Sequence, residues 1–271
     1  MNLSPMTQVY LDDLSLSTET LDMNFLQDLQ SRHIARHTFN NLSVLLGHEM
    51  SLEIDDLFSK IVDKRRGGYC FEHNKWVFTV LQDLGFEVRL LLSRVVYDRD
   101  VDSARTHRIT LLKFEGEEYI VDAGFGHYGA RMPVKISDES QDMGDTHYRI
   151  IKKDAHTYCY QMIKDGAFFT IYTFDKNIYT DADCTLGHFY SHRHPDAAFV
   201  NNLVVCRKDL NNIRSLRNNT FFHICDGETE VTDIIDAPQL HQMLTQTFEL
   251  DVDMAVSEFL FTNFVLTQKT A

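Results

Sequence analysis

Three residues of this 271-residue sequence have types and surroundings suited to nucleophilic chemistry. Cys70 follows Arg65-Arg66-Gly67-Gly68-Tyr69 and opens a segment, from about 69 to 84, in which Phe71, Phe78, Leu81 and Leu84 are apolar and Gly85 is a stop. That spacing predicts a helix with the cysteine in its first turn. A sulfur placed there faces unpaired backbone N–H groups and the positive end of the helix dipole, both of which favour thiolate over thiol. The paired glycines let the backbone turn sharply and keep side chains out of a ligand's path. Taken alone, the same spacing fits a buried structural cysteine ahead of a helix equally well.

His107 and Asp122 stand on two strand-like segments, 106–114 and 118–125, separated by the turn Glu115-Gly116-Glu117. A two-residue loop (115–116) sets His107 opposite Gly124, with Asp122 two positions along. A four-residue loop (113–116) sets His107 directly opposite Asp122. In either register the two side chains share one face of the sheet, within reach of each other. An imidazole held by a carboxylate is what a cysteine nucleophile needs: the ring accepts the thiol proton, and the carboxylate fixes its tautomer and stabilises the imidazolium. Individually the signals are weak, since Asp122 also reads as a strand-end residue and His107 is one of 13 histidines.

The elements that must position these residues follow from periodicity. Residues 18–62 carry helical patterning, with Leu21, Phe25 and Leu29 after a Ser17/Thr18 cap. Ile54, Leu57, Phe58, Ile61 and Val62 then follow i, i+3, i+4, i+7, i+8, with Asp55 and Asp56 near the helix start. From Phe86 the texture becomes strand-like, over 86–97 and the two segments above, then 147–151, 157–163 and 167–174. Residues 221–234 read as a hairpin around Asp226-Gly227, and Leu240, Leu244 and Phe248 as a last amphipathic helix. Helices, then strands, then a mixed end make the class α+β rather than alternating βαβ.

Composition removes several functions. With 40 acidic against 26 basic side chains, the net charge of −14 argues against a general nucleic-acid binder. No run approaches the ~18 apolar residues of a membrane span, and no basic-then-apolar leader opens the chain. Five cysteines without a C-x-x-C pair read as reduced thiols in a cytoplasmic protein, and Cys159, Cys184, Cys206 and Cys225, in or beside strand-like runs, as small apolar residues. No metal is expected. His188, His192 and His194 read as loop histidines without an acidic or cysteine partner at ligand spacing, and His33/His37 as a polar helix face without the H-E-x-x-H glutamate. Trp76 reads as core. The net acidic excess is accounted for by residues 1–31 and 221–260, which hold no Lys or Arg, so an anionic cofactor remains compatible with the balanced remainder.

The combination Arg66-Gly67-Gly68-Tyr69-Cys70-Phe71-Glu72, Thr106-His107 and Val121-Asp122-Ala123-Gly124-Phe125-Gly126 closely resembles the arylamine N-acetyltransferases. Thr38-Phe39-Asn40-Asn41-Leu42 is similar to that family's Pro-Phe-Glu-Asn-Leu segment, and Pro195-Asp196-Ala197-Ala198-Phe199 to its later loop. The resemblance runs in order from about residue 8 to 250. It implies an N-terminal helical bundle carrying the nucleophile (1–85), a central β-barrel carrying His and Asp (86–200) and a C-terminal α/β lid (201–271), with a papain-like Cys70-His107-Asp122 triad. It implies ping-pong transfer of an acetyl group from acetyl-CoA to an arylamine, hydrazine or arylhydroxylamine. Phe39, Tyr69, Thr106, Phe125 and Gly126 would meet the acceptor, and Ala104 and Arg193 the coenzyme A. Two departures stand out: Asn40 replaces a carboxylate, and Arg193 replaces a small hydroxyl. Amide synthases of the same family using a carrier-bound acyl chain, and a non-catalytic module on the same scaffold, are the rival readings.

Overall fold

Apolar residues at helical spacing draw the first third of the chain into one cluster. The computed structural model describes residues 3–266. α1 (Pro5–Asp13) is capped by Ser4, whose hydroxyl accepts the Thr7 N–H at 3.2 Å. α2 (Met23–Arg36) is capped by Asp22 rather than by the Ser17/Thr18 pair, because the Asp22 carboxylate reaches the Phe25 N–H at 2.9 Å and adds a negative charge at the positive helix end. A two-residue strand, β1 (Phe39–Asn40), and a helical turn, α3 (Leu42–Leu45), lead to α4 (Ile54–Phe58), which runs on as a π-helical turn over Ser59–Asp63. α5 (Cys70–Asp83) completes the bundle. Phe25, Leu29, Ile61, Trp76, Val80 and Leu81 are buried together, and the cluster extends to Leu112 and Val121 of the neighbouring sheet.

His33 and His37 are not on a polar face; both are buried. Tyr10 Oη lies 2.7 Å from His33 Nδ1, and His33 Nε2 lies 2.8 Å from His73 Nδ1, so a hydrogen-bonded chain replaces solvent. Burial holds His37 down at about 4 and His73 at about 3, and lowers His33 as well. In the unfolded chain these rings take up protons near 6.5. Stability should therefore be complete above that pH and be lost as pH falls towards the folded values, by roughly 2 kcal/mol for each of His37 and His73 at pH 5. Urea unfolding at pH 7 and pH 5 checks this; equal stabilities would contradict neutral buried rings.

An eight-stranded antiparallel sheet follows: β2 (Glu87–Val95), β3 (His107–Phe114), β4 (Glu117–Val121), β5 (Val134–Lys135), β6 (Gln141–Asp142), β7 (His147–Lys152), β8 (Tyr158–Lys164) and β9 (Ala167–Phe174). Its order is β5-β4-β3-β2-β9-β8-β7-β6. The two edge strands are drawn together by Gln141, whose Oε1 accepts the Lys135 N–H at 2.8 Å and whose Nε2 donates to the Lys135 carbonyl at 3.0 Å. The sheet is thus a nearly closed barrel, filled by Leu91, Ile109, Ile120, Ile150, Tyr160 and Ile171 among others. Phe114 pairs with Glu117, so the β3–β4 loop has two residues, the first of the two registers considered. Glu115 sits at φ 51°, a left-handed conformation that asparagine adopts at lower cost. Glu115→Asn should raise stability by roughly 0.5–1 kcal/mol, read as a higher Tm.

The remaining chain crosses over the barrel. α6 (Asp181–Arg193) begins at Thr180, whose N–H donates to Asp183 at 2.8 Å, and is followed by α7 (Ala198–Asn201). His188 and His192 therefore lie on a helix, not in a loop, and Cys184 on the same helix. α6 escaped the periodicity reading because its buried positions are Cys184, Gly187, His188 and Ser191, none of them large and apolar. β10 (Val204–Lys208), β11 (Asn212–Arg217), β12 (Thr220–Cys225) and β13 (Glu228–Asp233) form a second antiparallel sheet, with β1 on its edge through Phe39↔Cys206 and Asn40↔Val205. α8 (Ala237–Gln242), a π-helical turn and α9 (Met254–Leu260) pack Leu240, Leu244 and Leu260 against Val205 and Leu216. No helix among the described residues is long and apolar enough to cross a membrane.

Candidate active site

Cys70 is delivered by a loop pressed against β1. Gly67 has φ +61° and lies so close to Thr38 that a Cβ there would fall 1.8 Å from its carbonyl oxygen. The Asn40 N–H donates to the Gly68 carbonyl at 2.7 Å. Asn40 Nδ2 donates to the Arg66 carbonyl at 2.9 Å and to Thr38 at 3.2 Å. The amide at this position thus supplies donors that a carboxylate does not have, to the loop at Arg66 and to the chain at Thr38. Glu72 then fixes the first turn of α5: Oε2 accepts the Tyr69 N–H at 3.1 Å, and Oε1 pairs with Lys60 Nζ at 2.6 Å.

The barrel supplies the partner groups. His107, first residue of β3, places Nε2 2.7 Å from Asp122 Oδ2 just after β4. The other carboxylate oxygen, Oδ1, accepts from Asn74 Nδ2 at 2.8 Å and from the Gly124 N–H at 3.2 Å. Asn74 also accepts the Ala123 N–H at 2.8 Å and donates to the Arg108 carbonyl at 2.6 Å, so one amide ties α5 to both strands. Sequence reasoning missed Asn74. Its signal was position i+4 from Cys70, the same helix face. Gly124 packs on the cysteine backbone, where a Cβ would stand 3.0 Å from Cys70 Cα, so this contact between bundle and barrel needs glycine.

Electrostatics at the thiol differ from the expectation. Burial pushes Cys70 well above its ordinary value and the Asp122 charge adds to this, while the N–H groups of Phe71 and of Cys70 itself pull the other way without prevailing. The helix N-terminus is thus opposed by burial at this sulfur. His107 Nε2 is engaged by Asp122, which leaves Nδ1 outside that pair.

Cys70 and His107 both line a cavity of about 790 Å³, within the usual range for small-molecule sites. Phe39, Ala104, Thr106, Phe125 and Gly126 also line it. The Thr106 carbonyl lies 3.7 Å from Cys70 Sγ, and the Phe125 ring stands edge-on to His107 with centroids 4.9 Å apart. Tyr69 and Arg193 are placed elsewhere. Tyr69 is buried at the N-cap with its hydroxyl on His188 Nδ1, and Arg193 is exposed in the last turn of α6; neither lines the cavity. Tyr97, unremarked in the sequence, does line it. Its φ of 48°, followed by 57° at Asp98, is a strained turn that sets the ring 6.1 Å from those of Phe125 and Tyr128. Among the described residues no group of three or more His, Cys, Asp or Glu could hold a metal ion. The His188 ring instead bonds Tyr69 and the Met50 carbonyl.

A family model described as N-acetyltransferase matches residues 22–257. The chain belongs to the arylamine N-acetyltransferase family. The arylamine N-acetyltransferase / N-hydroxyarylamine O-acetyltransferase of Salmonella typhimurium is 32% identical over 245 residues, covering 88% of this chain and 87% of the relative. The arylamine N-acetyltransferase of Escherichia coli is 32% identical over 243 residues, covering 88% and 86%. Among solved structures, the Salmonella typhimurium enzyme superposes with a TM-score of 0.90 at 30% identity, over 97% of this chain and all of that one. Mycobacterium marinum arylamine N-acetyltransferase, solved in complex with CoA, gives 0.89 at 26% identity over 95% and 99%. The protein is therefore an arylamine N-acetyltransferase by family, a transferase on that family's α+β fold.

Proposed function

We propose that this arylamine N-acetyltransferase moves an acetyl group from acetyl-CoA to an arylamine, hydrazine or arylhydroxylamine through an acetyl-cysteine at Cys70. The observation that carries the reading is Cys70 on the wall of the cavity beside the His107–Asp122 pair. In the first half-reaction Cys70 Sγ attacks the thioester carbonyl as His107 accepts the thiol proton. The tetrahedral adduct expels CoA, which leaves as a thiol with that proton. In the second, the acceptor nitrogen attacks the acetyl-cysteine, His107 takes its proton, and the Cys70 thiol is restored. Asp122 keeps the ring in the required tautomer and balances the imidazolium. Thioester exchange is nearly isoenergetic, and amide formation drives the cycle forward.

Phe39 and Phe125 supply an aromatic wall suited to an aromatic amine, with Thr106 and Gly126 beside it and Ala104 meeting the coenzyme. In this reading residues 1–85, 86–200 and 201–271 act as bundle, barrel and lid, with 1–2 and 267–271 outside the described residues, β1 shared with the lid's sheet and α6 and α7 lying beyond the barrel strands. A cytoplasmic site is in keeping with five free cysteines. The test is intact-protein mass spectrometry after mixing with acetyl-CoA. One acetyl adduct should map to Cys70 and discharge when an aniline is added. No adduct, or one that maps to another residue, overturns the reading.

A further inference from the structure

A fully buried lysine that takes no part in the chemistry above lies behind the aromatic wall of the cavity. Lys208, at the end of β10, is 1% exposed. Its Nζ donates to the Gly129 carbonyl at 2.7 Å and pairs with Asp145 Oδ2 at 2.6 Å. Arg131, also buried, lies 3.7 Å from the same carboxylate through Nε. Arg131 donates to the Met143 carbonyl at 2.8 Å and to the carbonyls of Asp209 and Leu210 in the β10–β11 turn. Three separate segments thus converge on one carboxylate: the 126–131 loop, the β6–β7 turn and the second sheet. Lys208 also borders a second, water-sized cavity of about 10 Å³, whose other walls include Asp122, Phe125, Gly126 and Gly129.

A buried cation and anion are seldom better for stability than apolar residues of the same volume, because desolvation offsets the attraction. What such a pair does supply is a fixed position, since each group is satisfied in one geometry only. Here the geometry belongs to the backbone just after Phe125, and the Phe125 Cβ lies 3.0 Å from where a Gly129 Cβ would stand. We propose that Lys208 is a positioning residue for acceptor selectivity: through Asp145 and the Gly129 carbonyl it holds the Phe125–Gly129 wall against which a wide aromatic acceptor packs, while touching no reacting atom. The inference rests on the acetyltransferase reading of the cavity. Lys208 bonds the Gly129 carbonyl and Asp145, not Cys70 or His107, so the rate of Cys70 acylation is the readout that separates this role from a general loss.

The test compares wild type with Lys208→Met and with Asp145→Asn, which keeps the volume and removes the charge. The KM for a fused-ring arylamine should rise by about tenfold, that for a small hydrazine by less than about twofold, and the rate of Cys70 acetylation by acetyl-CoA should stay within about twofold. A loss confined to the wide acceptor supports the role. Equal effects on both acceptors and on acylation, or no effect, overturn it. If Lys208→Met does not fold, Asp145→Asn decides by the same three readouts. Failure of wild type to form the adduct would instead refute the acetyltransferase reading.

Discussion

Cys70→Ala should reduce acetyl transfer to anilines and hydrazines by at least ~10⁴-fold while the protein stays folded. The loss is large because on the proposed route the acetyl group is carried on Sγ, and His107, the neighbouring titratable group, is engaged with Asp122. Cys206, which also borders the cavity, is held up to about 12 by burial and stays a thiol. The fold persists because the side chain removed is small, about 1 kcal/mol of buried surface, and the contacts that seat the first turn of α5 come from Tyr69, Glu72 and Lys60. Circular dichroism and a melting curve near that of wild type, together with absent turnover, are the expected pair of results. Retained turnover would sink the assignment of the nucleophile.

His107→Gln should lower both acetyl transfer, by roughly 10³–10⁴-fold, and the alkylation of Cys70 by iodoacetamide at pH 7, by about 100-fold. The second readout follows from the direction of the cysteine's shift. Its thiol lies above the ordinary value of 9.0, so without an imidazole to receive the proton the thiolate fraction at neutral pH is very small. Alkylation of the variant should return as the pH rises into the alkaline range, whereas in wild type Cys70 should react at pH 7 ahead of the other four cysteines. Three of those, Cys159, Cys184 and Cys206, are buried, and Cys225 is half-buried, which makes it the internal control. Unchanged labelling in His107→Gln would show that the helix N-terminus alone activates the sulfur.

The positions of Cys70, His107 and Asp122 were legible because each follows from a short-range rule. A helix start after two glycines and an even strand register hold whatever the rest of the chain does. Long, strongly patterned segments such as α5 and β7–β9 were readable for the same reason. Asn74, Lys208 and Tyr97 were not, since each matters through a partner distant in sequence or through a strained turn that no periodicity announces. His33 and His37 were misplaced on the surface because a polar ring looks solvated until its hydrogen-bond partners, Tyr10 and His73 in the case of His33, are known. Tyr69 shows the converse limit. Though it is adjacent to Cys70 in sequence, its ring does not line the cavity and is held by His188 instead.

The edge strand β1 has a consequence for how the protein is made. Phe39 and Asn40 are synthesised early, yet their sheet partners are Cys206 and Val205, and Thr38 Oγ1 donates to the Phe248 carbonyl at 2.8 Å. When Cys70, His107 and Asp122 have all been synthesised, the neighbours of β1 are still untranslated. During that interval Phe39 has no sheet to hold it at the cavity, and the loop that presents Cys70 is braced on one side only. The wall of the cavity at Phe39 is therefore completed only late in translation, and a prematurely terminated chain carries Cys70, His107 and Asp122 without it.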